Sequence, residues 1–423
     1  MVFGGYRGLF TSAKGRLFAV IGGAFYEVNA DATYTLYGAI NSTGGMVSMA
    51  ENETQLIIVD GSDGWIFTFA TNTFTKITDE GFVNGKHIVN IDGFFVKNCS
   101  NSGEFDWSNL RDGTKWDALN FATAEGSPDN LVSIGKINNE LWLFGDKSTE
   151  IWYDTGDSTS QFKRVNQGFI DIGCAAEWSI ATINNSIFWL GANQQGQGIV
   201  WMASCPIPQR ISTHSEEYSI GKMTDISDAV AFCYQQEGHS FYVLTFPTGN
   251  KTLVYDLSTQ MWHERASYNT TTGQNDRHRA QCFSFWNGKN YVGDYENGNL
   301  YELDLDTFTD NGTQIQRIRT GSHLHNDRKR VFYHEFEADI ERGVGNDFGQ
   351  GADPTATLYW SDDGGFKFSN GYQGKLGRAG KTLTRLHWHR LGMSRDRVFR
   401  LVITDPVKAI LIGARCDAES EGG

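Results

Sequence analysis

One pattern recurs along the chain: a β-prone run, a turn of Gly, Asp or Asn, a second β-prone run, and a further polar turn. Six copies are clear, at 16–28 (RLFAVIGGAFYEV), 55–69 (QLIIVDGSDGWIFTF), 140–153 (ELWLFGDKSTEIWY), 186–202 (SIFWLGANQQGQGIVWM), 240–257 (SFYVLTFPTGNKTLVYDL) and 290–303 (NYVGDYENGNLYEL). A seventh, weaker copy lies around 87–99. The turns fall roughly 40 to 55 residues apart, the spacing of four-stranded propeller blades. This spacing constrains the fold because a lone four-stranded sheet leaves both faces bare. Sheets stacked radially about an axis bury those faces against one another. Sandwich strands recur without such a super-period, and β-helix coils are shorter, so six or seven blades over residues 1–313 are expected.

Composition agrees. Aromatics make up 13% of the 423 residues and charged residues only 20%, with 48 glycines against 6 prolines, which suits short pleated strands joined by tight turns. In the last copy, Asn297-Gly298-Asn299 predicts a type I′ turn with positive φ at Gly298. From residue 314 the pattern changes. The run 314–330 (QIQRIRTGSHLHNDRKR) is basic and lacks the blade signal, so it reads as a linker. Alternating runs at 331–340, 356–360 and 398–404 then predict a small C-terminal antiparallel β domain over 331–418, with a tail at 419–423. The expected fold class is therefore all-β: a β-propeller followed by that small domain.

The net charge of −14 is unevenly placed: 19 Lys and Arg against 36 Asp and Glu over residues 1–314, 17 against 11 over 315–415, and none against 3 in the last eight. An acidic body repels nucleic acid and anionic membrane, so any contact with DNA phosphate has to come from the C-terminal part. A pore lined with acid would let DNA pass without sticking. The cysteines at 99, 174, 205, 233, 282 and 416 are scattered singly, which predicts buried thiols from a reducing cytosol rather than a zinc site or a disulfide framework. No apolar run reaches the ~18–20 residues of a membrane helix, and the first residues do not form a signal peptide. A soluble product made in the cytoplasm, without a membrane anchor, is expected.

Few residues suggest chemistry. Residues 361–368 (SDDGGFKF) match the S-x-D-x-G-x-x-F box of sialidase-type propellers, where Ser and Asp side chains satisfy turn backbone groups away from the active site; a turn is expected here too. His387-Trp388-His389 places two imidazoles on one face of a strand, half of a metal site. No third ligand is evident, so a polar interface and no metal site are expected, and His323 and His325 read the same way. Asp60-Gly61-Ser62-Asp63-Gly64 resembles the start of a calcium loop, but its twelfth position is Thr71 rather than Glu, so a β-turn is expected. Trp142, Trp152, Trp189 and Trp201 fall at blade-core positions. No catalytic residue and no cofactor are expected. The basic set Arg317, Arg319, Arg328, Lys329 and Arg330 is either a solvated linker, a docking strip for an acidic protein surface, or a contact to DNA phosphate. Aromatics are not interleaved with it as stacking platforms require, and the protein interface is preferred over DNA.

Residues 117–130 (DALNFATAEGSPDN), 140–153, 208–218 (PQRISTHSEEY), 234–247 (YQQEGHSFYVLTFP), 262–267 (WHERAS) and 290–312, with 356–364 (ATLYWSDDG) and 385–405 near the C-terminus, resemble the packaged-DNA-stabilisation family of short-tailed bacteriophages. The resemblance extends over nearly the whole chain. It implies a structural tail hub or nozzle subunit of the virion and not an enzyme. Such subunits form a homohexameric ring below the portal and its adaptor protein, and other tail parts (fibre, spike or needle proteins) attach to it. Packaged double-stranded DNA passes through the channel without sequence-specific binding. Members of the family carry several dozen residues before the first hairpin, whereas here it begins at residues 4–10. An N-terminal strand often completes the last blade of a propeller, so ring closure is the open structural question. The alternative from another class is a carbohydrate-binding or glycosidase-like propeller that recognises the host surface, which needs Trp or Tyr beside paired carboxylates in a cleft.

Overall fold

A computed structural model of the chain describes residues 4–157, 160–193, 196–204 and 206–420. It divides into two compact units, Met1–Ala266 with Asp276–Leu303, and Ser267–Asn275 with Asp304–Gly423.

The first unit holds seven antiparallel sheets among the described residues, the upper of the two expected blade counts. The hairpins legible in the sequence are the second and third strands of six blades: Leu17–Ile21 with Ala24–Val28, Gln55–Val59 with Gly64–Thr68, Glu140–Gly145 with Thr149–Asp154, Ser186–Asn193 with Gly196–Ala203, His239–Phe246 with Lys251–Asp256, and Lys289–Asp294 with Leu300–Glu302. The weak copy differs. Its turn at Asp92-Gly93, both with positive φ, joins the first and second strands, Ile88–Ile91 and Phe94–Asn98, while the third strand is Glu104–Asn109. The tight turn was the visible signal there, and the middle connection is a longer polar loop.

The first strands of the blades, Tyr6–Thr11, Ser48–Glu51, Ile88–Ile91, Leu131–Ile137, Ala181–Ile183, Val230–Gln236 and Ala280–Trp286, adjoin one another in that order, and the last adjoins the first. Blade faces meet in aromatic layers. Phe18 and Phe25 pack on Phe67 between blades one and two, and Phe144 packs on Trp189 between blades four and five. Each of these side chains is fully buried and contributes about 1.5–3 kcal/mol by the apolar surface it removes from water.

Among the described residues, Tyr6–Thr11 belongs to the first blade, where it pairs with Leu17–Ile21, the seventh blade has three strands, and side chains bridge the two. Across the seam Thr11 Oγ1 lies 2.6 Å from Ser284 Oγ, and the Trp286 indole donates to the Gly15 carbonyl at 2.8 Å. The ring of Tyr6 lies against Gly293 so closely that a Cβ there would meet its Cγ at 2.2 Å. The nearby turn departs from the expected type I′ form, since Gly298 is not among the residues with positive φ. The buried carboxylate of Asp294 organises the loop instead, accepting from the Glu296 amide and the Asn297 side chain.

The second unit is a sandwich of two antiparallel sheets. One runs in the order Arg317–Thr320, Val398–Ile403, Thr355–Ser361, Tyr372–Lys375; the other runs Leu386–Ser394, Val331–Ile340, Leu411–Ser420. Tyr333, Phe336, Leu358, Trp388, Phe399 and Leu401 share its core. The segment 314–330, expected as a linker, thus holds an edge strand: Arg317–Thr320 pairs with Val398–Ile403. Its four residues are too few to show a period, and ladder pairing with a distant strand decided the matter. Likewise Glu419 and Ser420, expected in a tail, end the last strand; residues 421–423 lie outside the described residues.

Candidate functional site

The basic set does not form one strip. Arg317 is half-buried and donates to the Asp405 and Val407 carbonyls at 3.3 and 2.7 Å, with its pKa lowered by burial. It is a clamp within the sandwich. Arg319 is exposed on the edge strand. Arg328, Lys329 and Arg330 lie in a stretch, residues 321–330, that is exposed throughout. Arg328 sits in the left-handed region, with φ 56°, and its carbonyl accepts from the Arg395 guanidinium at 2.8 Å. Arg395 therefore joins this group of cations, a neighbour that sequence separation concealed. Apolar side chains also stand exposed in this unit, with Phe348, Phe366 and Leu383 86–94% accessible.

The 361–368 box is a turn, as expected. Ser361 Oγ accepts from the Gly365 amide, and Asp363 Oδ1 accepts from the amides of Phe366 and Lys367 at 3.0 and 2.9 Å. Between them Asp362 pairs with Arg397 through two hydrogen bonds of 2.6 and 2.9 Å. Arg397 is itself buried, lies over Tyr333 with its guanidinium carbon 4.5 Å from the ring centroid, and donates to the Leu391 carbonyl. No sequence signal marked it. The 60–64 motif is also a turn, in which Asp60 Oδ1 accepts from the amides of Ser62 and Asp63.

A cleft of about 910 Å³ opens in the propeller, lined by Glu125, Glu150, Trp152, Arg164 and Phe169 among others. Trp142 and Trp189 are core residues as expected, but Trp152 is only partly buried and borders this cleft. It places an aromatic ring beside two glutamates, the arrangement a carbohydrate-active propeller requires. Glu150, however, accepts from the Trp152 indole at 2.8 Å and from the Gly126 amide, so both its oxygens are held as structural acceptors.

His387 and His389 share the outer face of their sheet, with ring centroids 4.7 Å apart. Trp388 between them turns inward and donates to the Tyr372 carbonyl. Glu335 lies directly opposite His389 in the ladder, a third donor that sequence alone did not locate. Next to it Glu337 is clamped by Arg385 and Arg415, which hold its carboxyl down to about 2.

Two separately cored β units define a structural class, a propeller joined in sequence to a β-sandwich. The family model described as bacteriophage P22 Gp10, beta-propeller, matches residues 2–308, and the one described as bacteriophage P22 Gp10, beta-sandwich, matches residues 316–419. The chain belongs to the bacteriophage P22 Gp10 family of packaged-DNA-stabilisation proteins, and it is by family a structural component of the phage virion. No curated protein matches it. Among solved structures it is similar to the N-terminal domain of Nup159, at 11% identity and a TM-score of 0.44 over 71% of this chain and 89% of that one.

Proposed function

We propose that the chain is the tail hub or nozzle subunit of a short-tailed phage, a non-enzymatic protein that assembles as a homohexameric ring around the DNA channel. The ring helps retain the packaged genome. It contacts the portal-adaptor protein on one side and fibre, spike or needle proteins on the other. The observation that carries this reading is the match of both family models, which together span propeller and sandwich. Exposed Phe348, Phe366 and Leu383, and separately the exposed cations Arg328, Lys329, Arg330 and Arg395, support docking of protein partners through the sandwich, because solvent-exposed aromatic residues and arginines are common at interfaces. Packaged duplex DNA passes without sequence-specific binding, repelled by the acidic propeller.

The test is the native mass of the full chain with and without its adaptor protein. A ring of six chains on the adaptor is expected, and a stable monomer in its presence would overturn the ring. Replacing Arg328, Lys329 and Arg330 by Ala should weaken incorporation into tails without altering the fold, and the difference from the wild type should shrink as salt screens these charges. Loss of duplex-DNA binding in that variant, with assembly intact, would assign the basic group to DNA instead.

A further inference from the structure

The outer face of the sheet formed by Leu386–Ser394, Val331–Ile340 and Leu411–Ser420 carries a donor set that the tail function leaves unused. Strand alternation puts His387 and His389 on one side of their strand while Leu386 and Trp388 face the core. Opposite, the ladder slips between Tyr333 and Glu335. Tyr333 is buried before the slip, and Phe336, Ala338 and Ile340 are buried after it, so the inward phase changes and Glu335 is turned outward. The partner strand accommodates the slip at Arg390, with φ 59°. A bulge that re-aims side chains in this way is a recurrent device beside functional sites.

One donor atom from each of Glu335, His387 and His389 lies within 4.8 Å of the other two. Two of the side chains carry an unsatisfied buried atom: His387 Nδ1 and Glu335 Oε1 have no hydrogen-bond partner. The other carboxylate oxygen, Glu335 Oε2, stands 3.9 Å from His389 Nδ1; orphaned buried atoms on two of the three clustered side chains need an explanation, and a bound ion supplies one. The adjacent cation does not remove the need. Arg385 stands 3.6 Å from Glu335 Oε1, but its guanidinium makes paired hydrogen bonds of 3.0 and 2.9 Å to Glu337.

We propose that Glu335, His387 and His389 bind a divalent first-row transition ion of the zinc type. Two imidazoles and one carboxylate are a borderline nitrogen–oxygen set, suited to zinc and unlike the all-oxygen shells of calcium and magnesium. Zinc bonds of ~2.0–2.1 Å in a tetrahedron bring donor atoms to about 3.3 Å from one another. The side chains therefore close by somewhat over an ångström at most, through rotation about their own bonds. His389 is the exposed member, so the fourth position opens to water or to a donor from another chain.

The experiment titrates the full chain, free of any histidine tag and stripped by chelator, with zinc in a calorimeter and with cobalt in a visible spectrometer. One ion per chain at micromolar concentration is expected, with d–d absorption from cobalt and no displacement by excess calcium. Glu335→Gln and His389→Gln should each weaken zinc binding at least about 10-fold, while the melting temperature of the metal-free protein stays that of the wild type. Absence of stoichiometric binding, or affinity unchanged in a His387→Gln/His389→Gln double variant, overturns the site. Zinc binding that persists in the double variant would locate the ion elsewhere and count equally against it.

Discussion

His87 is buried, its ring lies tilted against Trp178 with centroids 4.2 Å apart, and its Nε2 has no hydrogen-bond partner. Burial, and then the charge of Lys86, push its pKa down to about 3. The folded value lies below the unfolded one, so between roughly pH 3 and 6.5 the unfolded chain binds a proton that the folded chain does not. Stability is therefore lost as pH falls through that window. Melting temperature followed from about pH 7 to 4 should fall steadily, and His87→Gln should flatten the slope; an equal slope in the variant would show that other groups carry it. At the same scale, Asp362→Asn removes the carboxylate from buried Arg397. A charged hydrogen bond of this kind is worth about 1.5–3 kcal/mol. Asp362 is partly exposed, which places the expected loss in sandwich stability near the lower end, readable by denaturant titration.

Elements carry the closure of the propeller. The seam between the first and seventh blades depends on Tyr6 lying flat on Gly293, and a methyl group there strikes ring atoms at 2.2–2.5 Å. Tyr6 is buried at 2% accessibility, so it has little room to give. Gly293→Ala should destabilise the propeller by about 1–3 kcal/mol, the usual cost of overpacking. Gly288→Ala, at a turn where nothing lies within 4 Å of the added Cβ but φ is 76°, is the control for backbone strain without a clash. Equal melting temperatures for Gly293→Ala and the wild type would mean that the seam is looser than drawn.

Across the whole molecule, charge is distributed so that the acidic excess lies in the front three quarters of the chain. In the proposed ring, self-association would bring like-charged propellers together, and salt would screen that repulsion over a Debye length of ~8–10 Å. Ring assembly of the isolated chain should strengthen as salt rises from low to physiological values, while docking through the cations of the sandwich weakens. Opposite salt responses of the two equilibria, read by sedimentation, separate the two contributions; a common response would argue against that division.

The repeat made the propeller legible, because a β-hairpin of alternating apolar residues with a Gly, Asp or Asn turn encodes its own local structure. The 361–368 and 60–64 motifs were legible as turns for the same reason: each side chain bonds to amides only a few residues away. What escaped the sequence was set by long-range pairing. Arg317 clamps carbonyls some 90 residues distant, Arg395 reaches Arg328 across 67, and Arg397 finds Asp362 across 35. Glu335 meets His389 only because two bulged strands pair in one register, and a shift of one residue would send their side chains to opposite faces. Local chemistry thus determined the hairpins, the turns and the general class of fold. Ladder register and burial, which no local segment can specify, decided how the ring closes, which cations remain on the surface, and which three donors share one point.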